Sequence, residues 1–156
     1  MRFRVEWSRS VKLTDGTDQG LIYDLPSKKL STRAGIYIFR RRWGNQFEAL
    51  YVGKADRIRS RVRGQLNNLR LMQHLKNAKT GKRIILTGCI ITKPGQSLNK
   101  CLPIFEKALI RYFFSEGHDL ANKQGARLRR HEIETSGKQP KRFFPRVIFV
   151  EKGKGE

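Results

Sequence analysis

One stretch constrains the fold of this chain more than any other: Gly35 to Arg61, GIYIFRRRWGNQFEALYVGKADRIRSR. GIYIF is apolar, rich in β-branched and aromatic residues and opened by a glycine, which predicts a strand. Arg41 to Gln46 is polar and holds Gly-Asn, which suits a hairpin turn. FEALYV predicts a second strand, with Phe47, Ala49 and Tyr51 alternating against Glu48, Leu50 and Val52, and with Gly53 as its break. A helix follows, with Asp56 as its expected N-cap. Ile58, Val62 and Leu66 recur at i, i+4 and i+8 as its apolar stripe, and Arg57, Arg61 and Gln65 form the stripe beside it.

Two adjacent strands meeting a helix can bring Tyr37, Tyr51, Lys54 and Arg61 together around Gly53. Phenols, an ammonium and a guanidinium offer hydrogen bonds and positive charge, which suits the pentacovalent oxyanion of a phosphodiester under attack.

The charge balance points to the same partner. The chain carries 34 Lys plus Arg against 13 Asp plus Glu, a formal net charge of +21. A polyanion is the expected partner. The basic residues are spread along the chain and no basic amphipathic anchor stands out, which favours nucleic acid over a membrane surface. The rival explanation, a halo of solubilising lysines, does not require so lopsided a balance. No apolar run approaches the ~20 residues of a membrane span. MRFRVEW lacks an apolar signal core, so a cytoplasmic location is expected. Cys89 and Cys101 lack metal-ligand spacing and read as free, buried thiols of a reducing compartment.

A chain of 156 residues suits one domain with a real core. Residues 2–7 alternate as a half-buried strand. Residues 1–33 read as an N-terminal extension packed on the core, with Lys28, Lys29 and Arg33 as candidate DNA contacts or plain surface decoration. Asn67 to Thr80 predicts a second helix, with Leu69, Met72 and Leu75 on its apolar face, joined by Leu71, and Gly81 as its end. Lys82 to Lys93 is β-branched and predicts a central third strand. A helix from Leu98 to Ser115 carries Leu102, Phe105, Leu109, Ile110, Tyr112 and Phe113, with Lys107 and Arg111 on its wet face. Pro103 must sit in its first turn or mark a kink. Glu106 is the anomaly: its helical neighbours are Leu102, Leu109 and Ile110, so it needs a salt bridge or a metal ion. Glu134 to Arg142 reads as a loop. Phe143 to Glu151 predicts a closing strand that pairs with the N-terminal strand or extends the core sheet.

The triplets Gly35-Ile36-Tyr37 and Tyr51-Val52-Gly53, followed in order by Arg61, Glu106 and Asn122, resemble the motifs of the GIY-YIG nucleases. The resemblance covers about residues 34–125. It implies an α+β fold, a sandwich with a small, mostly antiparallel central sheet flanked by helices. The whole of 1–156 would be a single domain: a nuclease core at 34–125, the extension at 1–33, and a basic loop with a closing strand at 126–156. It implies a metal-dependent DNA endonuclease hydrolysing phosphodiester bonds. Tyr37, Tyr51, Lys54, Arg61, Glu106 and Asn122 would be the catalytic set. Glu106 would hold one Mg²⁺ (or Mn²⁺), Arg61 would stabilise the developing charge, and Tyr37 would be the general base. His74 is a further candidate, because some members place a histidine near this point. Where some relatives carry a histidine four residues after the helix arginine, this chain has Gln65, which cannot act as a base.

Arg33, Arg57, Arg63, Lys138, Lys141 and Arg142 are the candidate DNA contacts. Either the compact chain cuts alone, in the manner of small restriction enzymes and with a homodimer on DNA for double-strand cuts, or it is a non-catalytic basic nucleic-acid-binding module on the same fold.

Overall fold

The computed structural model describes residues 2, 4–122, 130–134, 136–138 and 147–151. The strands are β1 (Arg4–Trp7), β2 (Val11–Lys12), β3 (Thr14–Asp15), β4 (Tyr23–Asp24), β5 (Gly35–Trp43), β6 (Gln46–Ala55), β7 (Lys82–Ile91), β8 (Arg130–Glu134) and β9 (Val147–Glu151). The helices are α1 (Ile58–Gln65), α2 (Leu69–Asn77) and α3 (Leu98–Ser115). The architecture is α+β. Its central sheet runs β1-β7-β5-β6, with β2 also on β7, and every pairing in it is antiparallel.

Strand parity sorts the core into two layers. Ile36 and Ile38 of β5 face one way and pack with Val52, Ile90 and Leu102, the last on α3. Tyr37 and Phe39 face the other way, against Ile58 and Val62 of α1 and Leu71, Met72 and Leu75 of α2. Helices therefore cover both faces of the sheet. The described residues before Ala34 join the sheet and send side chains into this core: β1 and β2 extend the sheet through β7, and Leu13, Leu25 and Leu30 are buried. Leu30 is 1 % exposed, and burying such a side chain contributes about 1.5–3 kcal/mol.

The β5–β6 hairpin turns at Gly44-Asn45, with Trp43 opposite Gln46. Gly44 has φ +58°, as the first central position of a II′ turn demands. A bulge then breaks the alternation expected of β6. Phe39 pairs with Tyr51 and Arg40 with Ala49, leaving Leu50 as the extra residue. The bulge lets Leu50 and Tyr51 both pack on the α1–α2 side, while Ala49 and Val52 pack on the α3 side.

Several local expectations change. Gly53 does not end β6, which continues to Ala55 because Gly53 and Ala55 keep their partners Tyr37 and Gly35. Asp56 is not the cap of α1. Arg57 holds that position, and the free amides of Ile58 and Arg59 donate to the carbonyls of Arg33 and Ser31. Helix α2 ends at Asn77, short of Gly81, and its carbonyls at Leu75 and Ala78 accept from the Arg83 guanidinium. Leu69 and Tyr112 are exposed, the first as the opening residue of α2, the second on the outer side of α3. Pro103 lies in the second turn of α3, not the first. The closing strand β9 joins neither β1 nor the core sheet; it pairs with β8, a strand that includes Glu134 and that the sequence did not announce. Among the described residues no helix is long and apolar enough to cross a membrane. Cys89 and Cys101 are free and buried.

Candidate active site

The site grows from Gly53. A Cβ at this position would stand inside contact distance of the ring Cζ and the hydroxyl of Tyr37, so the missing side chain is what lets that ring lie across β6. Tyr51 stacks beside it, ring centroids 6.0 Å apart at 25°, and Phe39 meets Tyr37 edge-on at 5.9 Å. Both tyrosines lie on the α1 face of the sheet.

Helix α1 brings the polar partners. Gln65, one helical turn beyond Arg61 on the same stripe, is buried at 8 % exposure. Its Nε2 donates to the Tyr37 hydroxyl at 2.7 Å and to the Tyr51 hydroxyl at 3.2 Å. Its Oε1 accepts from Asn68 Nδ2 at 3.1 Å, and Asn68 caps α2 through the Leu71 amide at 3.1 Å. The Arg61 guanidinium also bonds the Tyr37 hydroxyl; this bond, with weaker attraction from Tyr51 and Glu106, raises Arg61 above its ordinary value.

Tyr37 itself is fully buried, and burial pushes its hydroxyl up to about 12 against the opposing pull of Gln65 and Arg61. A hydroxyl so placed meets no bulk water and holds its proton near neutral pH. Tyr51 is only half-buried. The outward-reaching phenol of the pair is therefore Tyr51, although the sequence pointed to Tyr37 as the water-activating group.

Lys54 and Glu106 sit around the corner. Lys54 pairs with Ile36 in the ladder and so points to the α3 face, where its Nζ lies 3.1 Å from Glu106 Oε2. The salt bridge that Glu106 needed is thus present, and Lys54 serves the carboxylate rather than a tyrosine. The Lys54 side chain is 44 % exposed, and a pair that open to solvent is worth about 0–1 kcal/mol, so the ammonium can leave. Among the described residues no three His, Cys, Asp or Glu side chains converge. A cation here would rest on Glu106 alone. That donor set fits Mg²⁺, which keeps most of its waters and takes one or two carboxylates plus a substrate phosphate.

A groove of about 600 Å³ opens beside these residues, lined by Lys54, Arg57, Ser60 and Arg61 on one side and by Asn99, Leu102 and Pro103 of α3 on the other. Ser60 and Arg61 also border a second depression that holds Gln65, Asn67 and Asn68. A third, with Lys28 and Arg63, adjoins it through Asn67. Arg33, Arg57, Arg63 and Lys138 are exposed. Lys141 and Arg142 lie outside the described residues.

The segment after α3 holds the edge of β6. Asn122 Nδ2 donates to the Val52 carbonyl at 2.6 Å, between Tyr51 and Gly53. Ala121 N–H donates to Leu50 O, and Ala49 N–H donates to His118 Nδ1 at 2.8 Å. Asn122 thus touches the strand that carries the site rather than the groove. His74 Nε2 donates to the Asp119 carbonyl at 2.7 Å, so the histidine anchors this same segment.

Gln65 is the member of the site that sequence reasoning passed over. The signal was there: it shares the Arg57–Arg61 stripe, and a buried amide must find partners. No family model matches the chain, and neither a curated protein nor a solved structure matches it.

Proposed function

We propose that the chain is a metal-dependent DNA endonuclease of the stand-alone GIY-YIG type. The observation that supports this most is the meeting of Tyr37, Tyr51 and Arg61 beside Gly53, with Arg61 also lining a groove whose far wall is α3. The net charge of +21 fits a substrate with a phosphate backbone.

In this reading a water oxygen bonds to phosphorus and releases a proton, the bond to the 3′ oxygen breaks, and the 3′ oxygen takes up a proton from solvent in exchange. Arg61 donates to the non-bridging oxygens as their charge grows. Tyr51, the less buried of the two phenols, hydrogen-bonds the phosphate or the water. Tyr37, saturated by Gln65 and Arg61, holds Tyr51 and Arg61 in place. Lys54 leaves Glu106 and moves toward the phosphate. Glu106 would hold one Mg²⁺ or Mn²⁺, which when bound would draw charge from the phosphate and the leaving oxygen. Asn122 keeps β6 seated, and Arg57, Arg63 and Arg33 hold the flanking backbone. One such site cuts one strand, so a double-strand cut takes two protomers or two visits.

The test is cleavage of supercoiled plasmid with Mg²⁺, with and without EDTA. Arg61→Ala and Glu106→Ala should each cut at least about 10²-fold more slowly while still binding DNA. Near wild-type cutting by either variant would sink the assignment. The second reading, a non-catalytic nucleic-acid-binding module, draws on the Lys54–Glu106 pair, which already satisfies the carboxylate. Binding without cleavage in any metal would put it first.

A further inference from the structure

The hydrogen bonds behind the tyrosines form a chain whose direction is fixed at one end. The Leu71 amide is a backbone N–H and can only donate, so the Asn68 atom facing it at 3.1 Å is Oδ1. Asn68 therefore presents its Nδ2 donor to Gln65 at 3.1 Å. The Gln65 atom meeting that donor must accept, so it is Oε1, and Nε2 is left facing the phenols at 2.7 and 3.2 Å. Both amide hydrogens are then spent on the oxygens of Tyr37 and Tyr51. Each phenol oxygen therefore accepts from Gln65, and each phenol proton is turned away from that amide. Tyr37 is fully buried and Tyr51 half-buried, so the phenol proton free to meet a ligand is that of Tyr51.

We propose that Asn68 and Gln65 are positioning residues that set the direction of the tyrosine hydroxyl protons, so that Tyr51 presents its O–H away from Gln65 as a donor. The cap of α2 is thereby wired to the tyrosines, and one side chain both starts a helix and, through the single amide of Gln65, orients the phenols. A phosphate oxygen, which can only accept, is the ligand chemistry that such a donor takes. The consequence for cleavage rests on the nuclease reading; the orientation of the network does not.

The test turns on Asn68→Asp. Aspartate caps a helix as well as asparagine, and its charge suits a helix N-terminus, so folding is retained. It replaces the donor facing Gln65 by an acceptor. Gln65 then turns its amide over, its Oε1 faces the phenols, and the tyrosine protons are drawn inward. In isotope-labelled wild-type protein, the Gln65 side-chain amide protons should show NOEs to the Tyr37 and Tyr51 rings, and Asn68→Asp should lose them. Plasmid cleavage should fall about 10²-fold, the scale of one lost transition-state donor, with melting temperature and duplex affinity unchanged. Asn68→Ser keeps the cap but replaces the fixed amide donor by a hydroxyl whose proton can rotate, and should fall between the two. Gln65 amide protons that point to residue 68 in the wild type would overturn the proposal, as would full cleavage by an Asn68→Asp protein whose amide has inverted. If the wild type cuts no DNA, the nuclease reading fails, while the amide spectra still decide the direction of the network.

Discussion

The Tyr37 ring lies across Gly53, filling the space that any side chain at that position would occupy. Gly53→Ala should therefore act on Tyr37 rather than on β6 itself. Tyr37 has no empty space to retreat into, because it is fully buried among Phe39, Tyr51 and α1. A cost of about 1–3 kcal/mol, the range for overpacking, is expected in urea unfolding, together with loss of cleavage. A variant as stable as the wild type would mean that the ring lies elsewhere.

The Lys54–Glu106 pair sets up competition between an ammonium and a cation for one carboxylate. Lys54→Met should leave the melting temperature within a few degrees, since the pair contributes about 0–1 kcal/mol. It should tighten Mn²⁺ binding to DNA-free protein, measured by electron paramagnetic resonance. Unchanged or weaker Mn²⁺ binding would remove Glu106 from the metal-binding role.

His118 gives the fold a pH limit. Its Nδ1 accepts the Ala49 amide at 2.8 Å, which only an unprotonated nitrogen can do, and burial lowers its value from 6.5 against the opposing pull of Glu48 and Glu116. The unfolded chain therefore binds the proton more readily than the folded one. This contribution to stability is complete above about 6.5 and is lost as pH falls below it. Melting temperatures between about pH 5 and pH 8 should fall on the acid side, and His118→Gln should flatten that slope.

Asn122 holds β6 by a side-chain donor, and its Oδ1 is buried with no partner among the described residues. Asn122→Ala should cost about 1–3 kcal/mol by leaving the Val52 carbonyl unpaired. Asn122→Asp should cost more, because a carboxylate would face that carbonyl. Amide exchange along β6 reads both effects; unchanged exchange rates would show that the contact carries no load.

The arginines fall into two groups that a salt titration separates. Arg59 donates to the carbonyls of Lys28 and Leu30, and Arg83 to those of Leu75, Ala78 and Gly81. Arg57 and Arg63 line open depressions. Arg57→Ala and Arg63→Ala should each lower the slope of log affinity against log salt by about 1, the value for one phosphate contact. Arg59→Ala and Arg83→Ala should instead lower the melting temperature and leave the slope unchanged.

Local periodicity made much of the fold legible. The stripe Ile58, Val62 and Leu66, the run Lys82 to Ile91 and the bounds Leu98–Ser115 of α3 all follow from patterns a few residues long. The turn at Gly44-Asn45 was written in its dipeptide. What escaped depends on distant partners. The bulge at Leu50 answers to the packing of two layers, and β8 pairs with β9 across twelve intervening residues, beyond the reach of a pattern a few residues long. Net charge raised the expectation of a polyanion partner, but did not reveal that Arg41 is buried against Glu48 and Trp43 while Arg59 and Arg83 bind the backbone. For the site, Tyr37, Tyr51 and Arg61 were read from the motif order and do meet. Their depths were not legible, because burial of one phenol and exposure of the other is decided by α1 and by the bulge. Gln65 was read only as a missing base, since its hydrogen-bond partners come from two strands and a second helix.

Strand β6 is an edge strand, and His118, Ala121 and Asn122 occupy its outer side. An uncovered strand of that length would be a template for another copy of the same sheet. A shortened version of the protein that stopped at the end of α3 would retain both tyrosines, Arg61 and Glu106, yet would bare this template next to them. Self-association, rather than simple unfolding, is the failure expected of such a truncation. The seven residues from Glu116 to Asn122, which look like a mere exit from α3, keep this edge of the sheet covered.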